Sequence, residues 1–323
     1  MPKTFTGKTL SLADWKRRKA AKHAERLGGF LGHPVEFLEG RGVGAKEWNF
    51  LQLRDVLAES LRRYGLEVTA KKVTACHRDF HGYACEANPS HVWAVPDYTC
   101  HLRLCPFEMK ARSNRARKAI EPEIRKLKRG KLLVMSRRNC ALDELGDGIG
   151  ELFSCFTRLY RRFLVPRGAR GAFAALEVTY NPANQTWHPH LNIVLDCPKY
   201  LAHADLLEAW MQITDGEGRG AWIGGIDKGT CSELLKYITK LVDFIDCPEA
   251  VGAFLQASKR RRFIRSYGTL YGLDHLDSDE ETSRFKCPDC GCPRVKDLGV
   301  IQREFVFWDA SGRTRFVPKF DSS

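Results

Sequence analysis

The sequence predicts an α+β fold, with helices laid against a mainly antiparallel sheet, and three stretches carry that prediction. Ala172–Tyr180 and Trp187–Leu195 read as two strands, and the turn-rich segment Asn181 to Asn184 between them makes a hairpin. Between Glu151 and Leu164, the residues Leu152, Phe153, Phe156, Leu159, Tyr160 and Phe163 recur at helical spacing. Arg158, Arg161 and Arg162 take the opposite side of that amphipathic helix. Lys131 to Ser136 is a short apolar run bounded by basic residues and reads as a further strand. Hairpins with interspersed helices imply layers of helix on sheet.

In chain order, residues 1–70 form a basic, mostly helical N-terminal region, with helices at Ala13–Arg26 and Asn49–Tyr64 and a Gly-rich break at Gly40–Gly44. Residues 71–129 hold a Cys/His cluster among turn residues with little periodicity, followed by a basic run. That pattern suits a small zinc-organised and DNA-binding segment. Residues 130–248 contain the strands and helix above, then a helix at His203–Gln212, a strand near Ala221–Asp227 and a closing helix at Ser232–Asp246. Residues 249–323 form a basic, Cys-rich C-terminal region.

The chain has 323 residues, 43% of them hydrophobic and 28% charged, which describes a globular protein with a real core. No apolar run approaches the roughly 20 residues that span a bilayer. The polar, basic N-terminus lacks the apolar core of a secretory signal, so a cytoplasmic protein without a membrane partner is expected. A net charge of +13 points to an anionic partner, nucleic acid first. Arg112, Arg115, Arg117 and Lys118 form one basic block, and Arg260, Arg261 and Arg262 a second. Both are candidate DNA-binding segments; the plainer reading is a pair of solvated helix faces.

Twelve cysteines in a cytoplasmic chain argue for metal rather than disulfides. Cys76, Cys85, Cys100 and Cys105 form one group, which His77, His81 or His101 could complete as a tetrahedral zinc site. Cys287, Cys290 and Cys292 form another, resembling a zinc knuckle short of one ligand, for which His275 and Cys247 are candidates.

Two further constellations carry chemistry. On the strand Trp187–Leu195, alternation puts His188, His190 and Asn192 on one face, and pairing across the turn brings Glu177 opposite or diagonal to the histidines. Two imidazoles, a carboxylate and an amide suit a divalent ion with open positions for a phosphate oxygen. The competing reading is the polar outer face of an edge strand, which Pro189 favours. In the predicted helix from Ser232, the residues Leu234, Leu235, Ile238, Leu241, Val242 and Ile245 form an apolar stripe, while Glu233, Tyr237 and Lys240 fall together on the other side. A tyrosine hydroxyl beside a carboxylate and an ammonium suits phosphoryl transfer. Thr230 and Glu233 also have the spacing of a capping box, so this face has a plain structural alternative.

Taken together, the motifs resemble the plasmid-type Rep initiators of rolling-circle replication in the HUH endonuclease superfamily, in the branch carried by many Gram-positive plasmids. Leu132 to Asn139 resembles the family's first strand motif, Leu176–Asn181 leading to His188-Pro-His190 its metal motif, and Glu233 to Lys240 its nucleophile motif. The stretch Cys100 to Pro106 is similar to the Cys-rich segment upstream. The likeness covers about residues 70–275. Two positions depart from the pattern. Asn192 stands where the family usually has a third histidine, leaving either His188 with His190 or His190 with Asn192 as the ligand pair. Phe107 and Glu108 follow Cys-Pro where the family has a second cysteine, so Cys85 or Glu108 could substitute in the zinc set.

The resemblance implies a sheet of about five antiparallel strands, HUH/RRM-like, with the metal histidines on a central strand. It implies catalytic Mg²⁺ or Mn²⁺, structural Zn²⁺, single-stranded or hairpin origin DNA as substrate, and a host helicase and polymerase as partners in a prokaryotic cytoplasm. Residues 130–248 would be the nickase domain, with Tyr237 as nucleophile. The alternatives are an HUH transposase or relaxase, or a zinc-stabilised DNA-binding regulator without enzymatic activity.

Overall fold

The computed structural model describes residues 45–226, 230, 234, 244–273, 286–302, 306–308 and 314–316. The chain divides into two compact units, residues 1–49 and 50–323. Of the first, only the backbone of residues 45–49 is described, as the opening of helix α1 (Ala45–Arg63). The predicted helix Ala13–Arg26 and break Gly40–Gly44 lie outside the described residues, as does most of the predicted helix Ser232–Asp246.

The second unit is the predicted α+β fold. After α1 come α2 (Glu67–Ala75), β1 (Phe80–Cys85), β2 (Val92–Pro96), α3 (Pro106–Arg125), β3 (Lys131–Arg137) and α4 (Leu145–Leu159). There follow β4 (Gly171–Asn181), β5 (Thr186–Asp196), α5 (His203–Ile213), β6 (Gly218–Gly225), α6 (Pro248–Ser258) and β7 (Ile264–Gly268). β8 (Val295–Ile301), β9 (Val306–Trp308) and β10 (Thr314–Phe316) complete the described elements. The main sheet has five strands in the order β6-β3-β5-β4-β7, with every neighbouring pair antiparallel. A second sheet runs β2-β1-β8, so segments more than 190 residues apart in sequence pair directly.

The β4–β5 hairpin forms for the reason its sequence suggests. Along the first half of β5, Trp187, Leu191 and Ile193 are buried, while His188, His190 and Asn192 on the other face are only half-buried. Both faces of the sheet are covered, but unequally. One carries α4, α5 and α6, whose Phe153, Phe156, Trp210 and Val251 join Trp187, Leu191 and Ile193 in the principal core. The other carries α3, whose Ala116, Ile120 and Ile124 cover Phe173, Ala175 and Val194. The polar residues of that second face therefore lie beyond Val194, toward the start of β5.

β5 is central, which removes the edge-strand reading of Pro189. The register explains how a proline is tolerated there. β3 pairs with β5 only as far as Ser136 opposite His190. Trp187 then exchanges both backbone hydrogen bonds with Cys140. By alternation, the Pro189 nitrogen faces the gap where β3 has left the ladder, so no donor is missed.

Four local expectations need correction. α4 begins at Leu145, six residues before the predicted start, because Gly146, Gly148 and Gly150 mask its helical pattern. Its last turn, Tyr160–Leu164, is π-helical, with the Val165 N–H donating to the Tyr160 carbonyl at 2.9 Å. Residues 71–109, read as having little periodicity, contain the end of α2, β1, β2 and the start of α3. The second basic block is not a helix face: α6 stops at Ser258, Arg260 takes a left-handed φ of 56°, and the chain re-enters the sheet as β7.

Trp187 anchors the hairpin. It is fully buried against Tyr180, Phe244 and Phe254, and its indole N–H donates to the Leu142 carbonyl at 3.1 Å. Trp187→Ala is expected to cost about 3–5 kcal/mol, read as a lowered denaturation midpoint in urea.

Candidate functional site

The antiparallel register sets Glu177 of β4 directly opposite His190 of β5, and Ala175 opposite Asn192. Residues opposite each other share a face. His190 Nε2 lies 2.7 Å from Glu177 Oε2, and the Asn192 amide nitrogen donates to that same oxygen at 2.7 Å. The three polar groups thus converge on one point. The Glu177 and His190 side chains are only 13% and 12% exposed, so their contact is shielded from bulk water. His188 behaves differently: its ring centroid lies 5.6 Å from that of His190, but its Nδ1 faces the Asn139 side-chain oxygen Oδ1 at 2.8 Å. Asn139 lies just beyond β3, at the end of the stretch that resembles the first strand motif, but its type alone does not mark it as a partner of His188.

The chemistry of this donor set is compatible with a divalent ion: the carboxylate, and the amide once turned to present its oxygen, suit a hard ion, and the imidazole a borderline one.

Glu233, Tyr237 and Lys240 lie outside the described residues. Two residues of their segment are described. Thr230 is buried, and Leu234 is buried in the cluster of Val194, Ala175 and Phe173. Those residues belong to the sheet face that carries His190 and Asn192.

The cysteines sort into two groups, divided differently from their order in the sequence. Cys76, Cys100 and Cys105 come together at the start of α3, with the Cys105 and Cys76 sulfurs 3.6 Å apart and the Cys100 N–H donating to Cys76 at 3.3 Å. His77 and Glu108 flank Cys76: His77 Nδ1 is 3.2 Å away and Glu108 Oε1 3.9 Å. Hydrogen bonding to Cys100 and Cys105, then burial, pushes the Cys76 thiol up, whereas hydrogen bonds from Cys105 and Cys76 hold Cys100 low, at about 3. Burial, then the Cys100 charge, raises the Glu108 carboxyl. This group could hold a metal ion.

Cys85 is elsewhere, beside Cys290, Cys287 and His91. His81 pairs with Asp97 and Asp297, and His101 is exposed, its Nδ1 4.0 Å from Glu108. Cys247 faces the Tyr180 hydroxyl and Glu249 rather than the knuckle, and His275 lies outside the described residues.

The basic blocks occupy opposite faces of the main sheet. On α3, Arg115 and Lys118 are exposed and Arg112 and Arg117 half-buried, next to the His190 face. Arg260, Arg261, Arg262 and Arg265 line a cleft of about 480 Å³ against α4 on the other face. Gly146 and Gly150 of α4 make room there, since a Cβ at either would meet the Arg261 guanidinium at 3.2 or 3.3 Å. Arg265 lies over the Phe153 ring, 4.3 Å from its centroid.

Residues 95–210 match the family model described as a replication protein. The matched span runs from β2 through the β4–β5 hairpin to α5, so it contains Glu177, His190 and Asn192 and stops short of Tyr237. The chain is 29% identical over 197 residues to the "Protein rep" of Streptococcus pneumoniae serotype 2 (strain D39 / NCTC 7466), covering 54% of this chain and 61% of that protein. It is 29% identical over 122 residues to a "Protein rep" of Bacillus amyloliquefaciens, covering 34% of this chain and 36% of the relative. A "Protein rep" of Bacillus sp is 28% identical over 122 residues, covering 34% and 40%. The chain thus spans less than two thirds of each of these relatives. No solved structure matches. Over part of its length the chain is thus similar to proteins described by replication. Among the described residues, no helix is long and apolar enough to cross a membrane.

Proposed function

We propose that this chain initiates rolling-circle replication by nicking one strand of origin DNA and joining its own tyrosine to the cut end. The observation that carries the proposal is the convergence of His190 and Asn192 on one oxygen of Glu177, each at 2.7 Å, on the central strand of a five-stranded sheet. Glu177, His190 and Asn192 would hold Mg²⁺ or Mn²⁺, with His188 at the mouth of the site beside Asn139. A divalent ion bound there would polarise the scissile phosphate and neutralise charge developing on it.

The chain's own residues supply the rest. Arg115 and Lys118 on α3 border the site face and hold the backbone of a single strand. Tyr237 gives up its phenolic proton and its oxygen bonds to phosphorus. The phosphorus–O3′ bond breaks, and the 3′ oxygen takes up a proton. The products are a 3′-hydroxyl, suitable as primer for a host polymerase, and a 5′-phosphotyrosine that conserves the phosphodiester for rejoining. Lys240 offsets phosphate charge, and Glu233 manages protons or presents water to end the cycle. Host helicase recruitment belongs to the same proposal. Burial of Leu234 with Val194 supports placing this segment over the metal-binding face.

Incubating the full chain with single-stranded origin DNA from its own replicon, with and without Mn²⁺, tests this reading. Metal-dependent cleavage with a covalent protein–DNA product is expected. Tight binding without cleavage at any metal concentration would instead favour a DNA-binding regulator.

The arginine cleft should contribute affinity rather than chemistry. For Arg260→Ala combined with Arg262→Ala, the slope of log binding constant against log salt should fall by about 2 on duplex origin DNA, near 0.9 for each phosphate no longer neutralised. Single-turnover cleavage at saturating protein should be unchanged. Fluorescence anisotropy across a salt series measures the slope.

A further inference from the structure

Cys85 ends β1, His91 stands just before β2, and Cys287 and Cys290 lie about 200 positions further along the chain. Their donor atoms all lie within 4.8 Å of one another. We propose that Cys85, His91, Cys287 and Cys290 form a tetrahedral zinc site that fastens the C-terminal segment to the β1–β2 hairpin.

Four observations support the site independently of the Tyr237 chemistry. The Cys85 and Cys290 sulfurs are 3.6 Å apart, too far for a disulfide of about 2.05 Å. Two thiolates bound to one zinc at about 2.3 Å stand roughly 3.8 Å apart, which matches. His91 Nδ1 lies 3.6 Å from the Cys287 sulfur, and the Asn88 side-chain amide, 3.1 Å from Nε2, fixes the ring in that direction. The backbone is shaped for a metal knuckle. The Gly291 N–H donates to the Cys287 carbonyl at 2.9 Å, and Gly291 takes a φ of 73° that favours glycine.

Both halves of the site are also held by neighbours. The Cys85 N–H donates to the His91 carbonyl at 3.0 Å, closing the hairpin, and Cys85 pairs with Val295 of β8. Arg315 of β10 makes a bidentate ion pair with Asp289 inside the knuckle, at 2.7 and 2.6 Å, and donates to the Val92 carbonyl of β2. Ligands from segments about 200 residues apart meet at one end of this sheet, where β1 ends, β2 begins and the chain enters β8. Cys292 lies close to Cys85 but falls outside the set of four mutually close donors, its thiol facing the Arg294 carbonyl at 3.7 Å. Thiolates with an imidazole select zinc over the hard ion expected at Glu177.

The test is the zinc content of the full chain, by plasma mass spectrometry after exhaustive gel filtration. Cys85→Ser, Cys290→Ser and their combination should each lose the same single equivalent relative to the parent, and His91→Ala should lose it under mild chelation. Cys292→Ser should keep it. Undiminished zinc in Cys85→Ser, or loss of an equivalent in Cys292→Ser, overturns the assignment. Because the variants could misfold, alkylation of the unmutated chain gives a second reading. Cys290 is exposed, yet zinc should protect it until a strong chelator is added. Immediate alkylation of Cys290 in the untreated, zinc-replete chain also overturns the proposal.

Discussion

His190→Ala is expected to abolish metal-dependent cleavage of single-stranded origin DNA. The loss should exceed the roughly 10–100-fold that removal of an outer-shell partner costs a metal site, because His190 is itself proposed as a ligand. The argument rests on register. His190 faces Glu177 across the β4–β5 pair, and it belongs to both ligand pairs that the sequence leaves open. Fold should survive, since Trp187, Leu191 and Ile193 supply the buried face of β5. The variant should therefore melt close to the parent while failing to cut across a Mn²⁺ titration. Asn192→His, which restores the more usual third histidine, should preserve or raise activity. If His190→Ala cuts at the parental rate, the Glu177–His190–Asn192 group is a structural polar cluster and the metal binds elsewhere.

Tyr237→Phe is the second large effect. Only the hydroxyl oxygen is removed, so the covalent adduct should vanish while DNA binding stays nearly unchanged. Incubation with Mn²⁺ and labelled single strands, followed by denaturing electrophoresis, measures the adduct. Residual strand cleavage without adduct would mean that water can replace the tyrosine at a metal site that still works, which the Glu233 role anticipates.

Much of this architecture is legible in the sequence, and the reasons differ from element to element. β4 and β5 are legible because near the hairpin turn, from Glu177 in β4 and up to Asn192 in β5, buried and half-buried residues alternate with period two. Glu177, His188, His190 and Asn192 are legible for the same reason: strand pairing across a short turn is local, and local pairing can be counted. β7 is hidden because its five residues, Ile264–Gly268, follow three arginines whose charge dominates any window that includes them. The start of α4 is hidden because three alternating glycines look like a loop, although two of them make room for Arg261.

The cysteines show the limit most clearly. Cys76, Cys100 and Cys105 are near neighbours in sequence and in space. Cys85 is their neighbour in sequence alone and belongs, by position, with Cys287 and Cys290, since β1 pairs with β8 across the length of the chain. His91 carries no mark that singles it out. Its one signal is the spacing from Cys85 across a hairpin turn, and no local rule links that turn to a knuckle some 200 residues away.

The central claim is that a tyrosine of this chain becomes joined to a cut DNA end, and peptide mapping of the adduct tests it most directly. The adduct formed with Mn²⁺ would be digested with protease and nuclease and sequenced by mass spectrometry. The account predicts a nucleotide mass on the peptide containing Tyr237, attached through a 5′-phosphate, and its disappearance in His190→Ala. A nucleotide on another residue, or cleavage that leaves no covalent product on the parental chain, would contradict it.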